Sequence, residues 1–250
     1  MNTKSILTII VTVLMAASAT PSLATGTNIE QMPAKLETRY ALSAVPQGLR
    51  DKASVYLLDP KVGYKLSRQG TSGVACIVER TQWELADFRD DIYFPVCYDA
   101  AGAATYLKVI MDAAALRAKG MGAAALKAEV ERRYKDKTYG VPARAGLSYM
   151  VGPMMRTIGP PDLKVHTMAM PHLMFYAPNV TDADIGAAPD LADPSSLLYP
   201  FISRQGNGET SYMIQLIGET EKARILADEK ALLADLCAYR DVLCLMDMKH

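Results

Sequence analysis

The chain has 250 residues and carries 27 basic and 27 acidic side chains, so its formal net charge is zero. Half of the residues are hydrophobic, a composition typical of a folded globular protein and not of a disordered one. No basic excess is present to bind the phosphate backbone of a nucleic acid, and no nucleic-acid partner is expected.

The N-terminus predicts a cleavable signal peptide over residues 1–24. Lys4 supplies a positive charge, and the uncharged run over residues 6–19 is shorter than the roughly 20 residues that a membrane-spanning helix needs. The small residues that precede Ala24 place cleavage after that residue, with cleavage after Ala19 as the alternative. We therefore expect a periplasmic or secreted protein with no membrane span after cleavage.

Residues 25–250 are predicted to form a single domain. Residues 25–45 have a mixed composition and predict a loosely ordered lead-in, followed by a short helix over residues 45–53 with Pro46 in its first turn. Hydrophobic runs bounded by turn-forming residues then predict four strands, over residues 54–59, 62–68, 74–79 and 93–98.

The hydrophobic period then changes to that of helices. Asp99 is placed to cap a helix that Gly120 ends, and a second helix places Leu126, Val130 and Tyr134 on one face. Further segments follow in the order of a methionine-rich, strand-like region over 143–176, a capped helical turn at 181–184, a surface loop over 186–200, strands near 201 and over 212–217, and an amphipathic helix over 219–239.

This order of elements predicts an α+β fold. The sheet is expected to be mostly antiparallel, with a helical pair in the middle of the chain and an amphipathic helix at the C-terminus. The strict alternation of strands and helices that produces a parallel sheet is missing.

Four cysteines follow the predicted signal peptide, and an even number in an exported protein favours disulfides. Three sets of pairs are possible, of which we favour Cys76–Cys97 and Cys237–Cys244. The first pair lies in two strand-like segments that a hairpin can bring together. The second requires the last helix to end near Tyr239, because the corresponding length of straight helix would separate the two Cα atoms by about 10 Å. A zinc site is the alternative, although no Cys-x-x-Cys spacing supports it.

The most unusual segment covers residues 165–175, where histidine and methionine occupy alternate positions. In an extended strand, alternate side chains share one face, which would align His166, Met168, Met170, His172 and Met174. Thioethers and imidazoles are suitable ligands for copper, above all Cu(I). Methionine is also a common filler of protein cores, and a proline in a strand disturbs its regularity. Two interpretations stay open: a copper site formed by these five residues, or a buried methionine face with a hydrogen-bonded His172.

Catalytic motifs receive less support from the sequence. Residues 146–150 (Gly-Leu-Ser-Tyr-Met) begin like the nucleophile elbow of hydrolases, but Met150 stands where the second glycine is needed. The acidic residues of the segment 182–193 lack the spacing of a calcium-binding loop, so a solvated loop of local caps is expected there. A hydrolase with Ser148 as its nucleophile is therefore the third hypothesis.

Four short strings together resemble a group of uncharacterised exported bacterial proteins. They are residues 70–73 (Gly-Thr-Ser-Gly) with Cys76 close behind, 95–99 (Pro-Val-Cys-Tyr-Asp), 146–150, and 171–174 (Pro-His-Leu-Met). The resemblance covers about residues 45 to 175 and carries no assigned activity, so it implies no catalytic residue. It implies the pairing of Cys76 with Cys97, and it draws attention to His172 and Met174.

The leading hypothesis is an exported, non-catalytic domain that binds a small ligand or a protein partner. This hypothesis expects no cofactor. Copper handling through the His/Met face is the alternative, and copper is the cofactor that it would require.

Overall fold

A computed structural model of the chain describes residues 29–204 and 208–245. The predicted signal peptide lies outside the described residues. Among the residues that are described, no helix combines the length and the apolar character needed to cross a membrane.

The helices and strands follow the chain in this order. The helices are α1 (Ala34–Ser43), α2 (Gln47–Arg50), α3 (Ala100–Ala103), α4 (Tyr106–Ala118), α5 (Ala123–Lys135), α6 (Asp182–Ile185), α7 (Glu219–Asp228) and α8 (Lys230–Tyr239). The strands are β1 (Ser54–Asp59), β2 (Gly63–Arg68), β3 (Ala75–Glu79), β4 (Phe94–Tyr98), β5 (Leu147–Met150), β6 (Met155–Gly159), β7 (Lys164–Met168), β8 (His172–Tyr176), β9 (Phe201–Arg204) and β10 (Ser211–Leu216).

Eight of these strands form one sheet in the order β2-β1-β3-β4-β5-β8-β10-β9, while β6 and β7 form a separate hairpin. Neighbouring strands in the large sheet are antiparallel except for β1 and β3. The chain runs back along one edge of β1 as β2 and then reverses again. β3 therefore has the direction of β1 when it pairs with the other edge of that strand. The predicted α+β fold with a mostly antiparallel sheet is confirmed.

Both favoured disulfides are present. Cys76 and Cys97 are directly opposed partners in β3 and β4, with 4.0 Å between their Cα atoms. The last helix ends at Tyr239 and the chain turns back, so the Cα atoms of Cys237 and Cys244 come within 4.4 Å. Two such bridges indicate an oxidising environment.

The prediction of a loosely ordered lead-in over residues 25–45 is wrong for its second half. Residues of α1 belong to the core, and both Tyr40 and Ala41 have no exposed surface. The side chains of Glu37 and Ser43 are also buried, and these polar residues interrupt the apolar pattern by which a helix is recognised in a sequence.

The helix predicted over residues 219–239 is divided in two. Glu229, with φ −100° and ψ 14°, separates α7 from α8. The buried apolar side chains lie on α8, where Leu232, Leu233 and Leu236 pack against the same core as α1. The helix capped by Asp99 is likewise interrupted, since α3 ends one turn later and α4 begins at Tyr106.

The large sheet has two differently covered faces. The face that carries Cys76 and Cys97 packs against α1 and α8. On the opposite face, Ile77, Val96 and Tyr98 pack against α4, and α5 packs against α4 from outside. Farther along that second face, the cover is the β6–β7 hairpin and not a helix, since Met155 joins the same core cluster.

Glu37 attaches α1 to the sheet. Its carboxylate accepts a hydrogen bond of 2.9 Å from the backbone N–H of Leu58 in β1, and the residue is 2% exposed. Burial raises the pKa of Glu37 to about 7, although the bond from Leu58 and the charge of Arg80 act in the opposite direction.

This carboxyl should make the protein less stable as the pH rises. Between the ordinary pKa of about 4.5 and the folded-state pKa of about 7, the folded chain binds more protons than the unfolded chain, so its stability falls across that interval. We expect Glu37→Gln, which still offers an acceptor to Leu58, to reduce the stability difference between pH 5 and pH 8 by roughly 1 to 3 kcal/mol.

Urea unfolding at the two pH values measures this difference. Glu131→Gln is the matched control, because Glu131 lies on the exposed side of α5 and should leave the pH dependence as it is. If Glu37→Gln kept the pH dependence of the wild type, Glu37 would not be the group that lowers stability between pH 5 and pH 8.

Candidate functional site

A cavity of about 490 Å³ lies between the sheet and the β6–β7 hairpin, and we call it the hairpin cavity. The sheet lines it with Phe94, Met150, His172, Met174 and Ile214. The hairpin lines it with Met155, Thr157, Ile158 and Leu163, and the segment 186–200 adds Pro189, Leu191 and Leu197. Most of this lining is apolar.

Strand pairing explains why the sheet residues of the hairpin cavity lie side by side. Met150 of β5 and His172 of β8 are directly opposed, and so are Met174 of β8 and Ile214 of β10. His172 and Met174 are two positions apart on one strand and therefore share a face. The four side chains form a continuous surface across three neighbouring strands.

An ionic clamp holds the hairpin over the sheet. Arg156 of β6 donates to the carboxylate of Asp91 through Nε at 3.2 Å and Nη2 at 2.5 Å, and Arg89 donates to the same carboxylate at 2.8 and 2.9 Å. Burial alone would raise the pKa of Asp91, but the hydrogen bonds from Arg89 and Arg156 outweigh it and lower the pKa to about 2. Backbone hydrogen bonds between Tyr93 and Arg156 extend the attachment.

The segment 186–200 closes another side of the hairpin cavity. The predicted capping box is present, since Thr181 and Asp184 bond each other's backbone N–H groups. The carboxylates of Asp190 and Asp193 accept hydrogen bonds from backbone N–H groups two residues farther along, as expected for local caps. The predicted surface loop has one buried anchor, Leu197, which lines the cavity.

His172 is the most buried polar side chain of the lining, with 4% of its surface exposed. Its Nδ1 lies 2.7 Å from the carbonyl oxygen of Met170, a partner that can only accept, so Nδ1 carries the proton. Burial lowers the pKa of His172, against the opposite effect of that carbonyl, and the ring is neutral at pH 7. Its Nε2 keeps a lone pair with no hydrogen-bond partner among the described residues.

The predicted His/Met face does not exist as one strand face. His166 and Met168 lie on β7 in the hairpin, whereas His172 and Met174 lie on β8 in the large sheet. Residues 169–171 between them are not strand, consistent with a proline that cannot donate to a strand ladder.

The five predicted metal ligands are therefore divided between two places. Met170, His172 and Met174 line the hairpin cavity. His166 lies outside it, half exposed, with Nε2 at 2.6 Å from a carboxylate oxygen of Asp162. The end of the Met168 side chain lies against Gly159 of β6, since a Cβ added at Gly159 would lie 2.7 Å from its Cε.

Two methionines that were not among the five predicted ligands also lie at the hairpin cavity. Met150 and Met155 line the hairpin cavity, so four thioethers and one imidazole share it. Within the described part of the chain, no three His, Cys, Asp or Glu side chains come together as a group that could hold a metal ion.

Ser148 does not form a nucleophile elbow. It lies within β5 and not in a turn between a strand and a helix, and it has no exposed surface. Its Oγ has no hydrogen-bond partner among the described residues, and Nδ1 of His172 is already bonded to Met170. The pairing of nucleophile and base that a hydrolase needs is not formed at Ser148.

Two polar residues of the hairpin cavity were not found from the sequence. Thr157 and Gln82 line it, and within the described structure Thr157 Oγ1 and Gln82 Oε1 are buried without a hydrogen-bond partner. For Thr157 a signal was present, because it alternates with Met155 and Gly159 on the inner face of β6.

The ionic clamp should contribute measurably to stability. At pH 7 we expect Asp91→Asn to lower the free energy of unfolding by about 1 to 2 kcal/mol, because an amide cannot carry the charge that both arginines face. The pKa of Asp91 is lower in the folded chain, so its contribution is present above about pH 4 and is lost as the pH falls towards 2.

Chemical unfolding at pH 7 and at pH 2.5 tests this expectation, with the two proteins becoming more similar in stability at the lower pH. Asp228→Asn removes an exposed ion pair with Arg224 and should change little. Equal losses of stability in Asp91→Asn and Asp228→Asn would refute a stabilising role of the ionic clamp.

None of the protein families, curated proteins or solved structures compared with this chain matches it. The hairpin cavity and the chemistry of its lining therefore carry the functional inference.

Proposed function

We propose that this protein is a non-catalytic binding protein that holds a small, largely apolar molecule in the hairpin cavity. The observation that carries the proposal is the cavity itself, with its volume of about 490 Å³ and its lining of Met, Ile, Leu, Phe and Pro side chains. Ligand-binding cavities in proteins typically have volumes of about 300–1,000 Å³, apolar walls and a few polar groups that orient the ligand.

The polar groups of the cavity support binding more than catalysis. A general base needs a position within hydrogen-bonding distance of a nucleophile, and Ser148 Oγ has no such partner among the described residues. His172 is oriented by a main-chain carbonyl, and among the described residues no nucleophile lies within hydrogen-bonding distance of its Nε2. These features favour a cavity that recognises its ligand and leaves it unchanged.

We further propose that the protein works in the periplasm or outside the cell. Two disulfides support an oxidising compartment, in which such bridges form and persist. The predicted signal peptide over residues 1–24 and the resemblance to exported bacterial proteins agree with that location.

Binding can be tested with the neutral, apolar fluorescent probe N-phenyl-1-naphthylamine. We expect saturable binding of one probe per chain with a Kd of about 1–100 µM, a range reasonable for a ligand of this size. Leu197→Trp adds bulk to a buried residue of the lining and should weaken binding at least about tenfold.

The neighbouring residue provides the matched control. Leu198 is 58% exposed and is not part of the lining, so Leu198→Trp should bind the probe as the wild type does. Circular dichroism would verify that both variants fold. No saturable binding, or equal weakening in the two variants, would disprove binding in the hairpin cavity.

Copper handling is a second candidate function, favoured by one specific observation. Met150, Met155, Met170 and Met174 line the same cavity as His172, whose Nε2 has a free lone pair. Thioether and imidazole donors suit Cu(I), and a histidine ligand commonly gives its other ring N–H to a carbonyl.

Competition with the chromogenic Cu(I) chelator bicinchoninate, under anaerobic conditions, tests this candidate. We expect His172→Phe and Met174→Leu each to weaken Cu(I) binding at least about tenfold, because each removes a donor from the cavity. His166→Phe should have no effect, because His166 lies outside it. Failure of the wild type to compete with the chelator would rule the candidate out.

A further inference from the structure

We propose that the hairpin cavity selects apolar molecules that carry a neutral hydroxyl group, and that this hydroxyl donates a hydrogen bond to Nε2 of His172. The inference rests on the proposed ligand-binding function and names the chemical class of the ligand. It follows from which polar atoms of the cavity can accept and which can donate.

The tautomer of His172 sets the direction of the hydrogen bond. The carbonyl oxygen of Met170, 2.7 Å from Nδ1, requires the proton on that nitrogen. Nε2 of the neutral ring is therefore an acceptor, and it has no partner within the described residues. On the sheet, the side chain lies beside Met150 of β5 and shares its strand face with Met174, so these nearest neighbours within the sheet are apolar.

The other two orphaned polar atoms near the cavity are buried in its wall and do not oppose this preference. Gln82 Oε1 is an amide oxygen and accepts only, while Thr157 Oγ1 can accept or donate. Thr157 is 7% exposed, so its hydroxyl lacks access to bulk water. An acceptor desolvated without a partner costs binding free energy, which a ligand with a donor group avoids.

A hydroxyl fits these surroundings better than a charged group. An ammonium would donate to Nε2, but burying its charge among apolar side chains is costly. A carboxylate would need a cation, and among the lining residues described, the permanent cation is Arg204, which is exposed at the edge. The pKa of Asp184 is lowered by hydrogen bonds from Thr181 and by the charge of Arg204, so Arg204 already faces a carboxylate.

Three matched probes separate these possibilities by calorimetric titration. They are 4-hydroxybiphenyl, its methyl ether and biphenyl-4-carboxylate, which share one apolar body. On the wild-type chain we expect the hydroxyl compound to bind about 5- to 20-fold more tightly than the ether, and the carboxylate to bind most weakly. In His172→Phe the ratio between the hydroxyl compound and the ether should fall to about 1, and in His166→Phe it should stay as in the wild type.

Each alternative result has a definite meaning. Equal affinities for the hydroxyl compound and the ether, or tighter binding of the carboxylate, would overturn the hydroxyl preference while leaving apolar binding in place. No saturable binding of any probe would overturn the proposed function as well. The ratio on the wild-type chain tests the hydroxyl preference even if His172→Phe does not fold.

Discussion

The pairing of β5 with β8 in the middle of the sheet is the constraint on which the cavity depends. The register joins Met150 directly to His172, so the residues between them in sequence cannot continue within the sheet. They leave it, pair with each other as the β6–β7 hairpin and lie across one face. The hairpin cavity is the space that this excursion encloses.

Two carboxyls then fasten the covers of the sheet, Asp91 for the β6–β7 hairpin and Glu37 for α1. Asp91 lies between two arginines, and its negative charge stabilises the fold. Glu37 is buried beside one backbone donor, and its ionisation destabilises the fold. Two carboxyl groups thus have pKa values shifted in opposite directions. Two arginines outweigh burial at Asp91 and lower its pKa, whereas burial dominates at Glu37 and raises its pKa. Both carboxyls join segments that are distant in sequence.

The chemistry of the cavity follows from the break before β8. Pro171 cannot donate to a ladder, and Met170, just before it, leaves its carbonyl free to accept from the ring of His172. That bond determines the tautomer, and the tautomer makes Nε2 an acceptor in an apolar surrounding. Pro171, which interrupts the predicted copper face, thereby helps to orient His172.

Local patterns in the sequence were enough to predict most strands, the helical pair and the capping box at Thr181, and to favour the two observed disulfides among three possible sets of pairs. Period-2 and period-3.6 hydrophobicity and cap residues depend on neighbours along the chain, and the cysteines lie in segments whose ends could be located from those patterns. Three features became visible in the folded chain alone: α1 is part of the core, His166 and His172 separate, and Met150, Met155 and Thr157 meet at one cavity. Those outcomes depend on which strands pair across long sequence separations, and hydrophobic periodicity carries no information about the choice of partner.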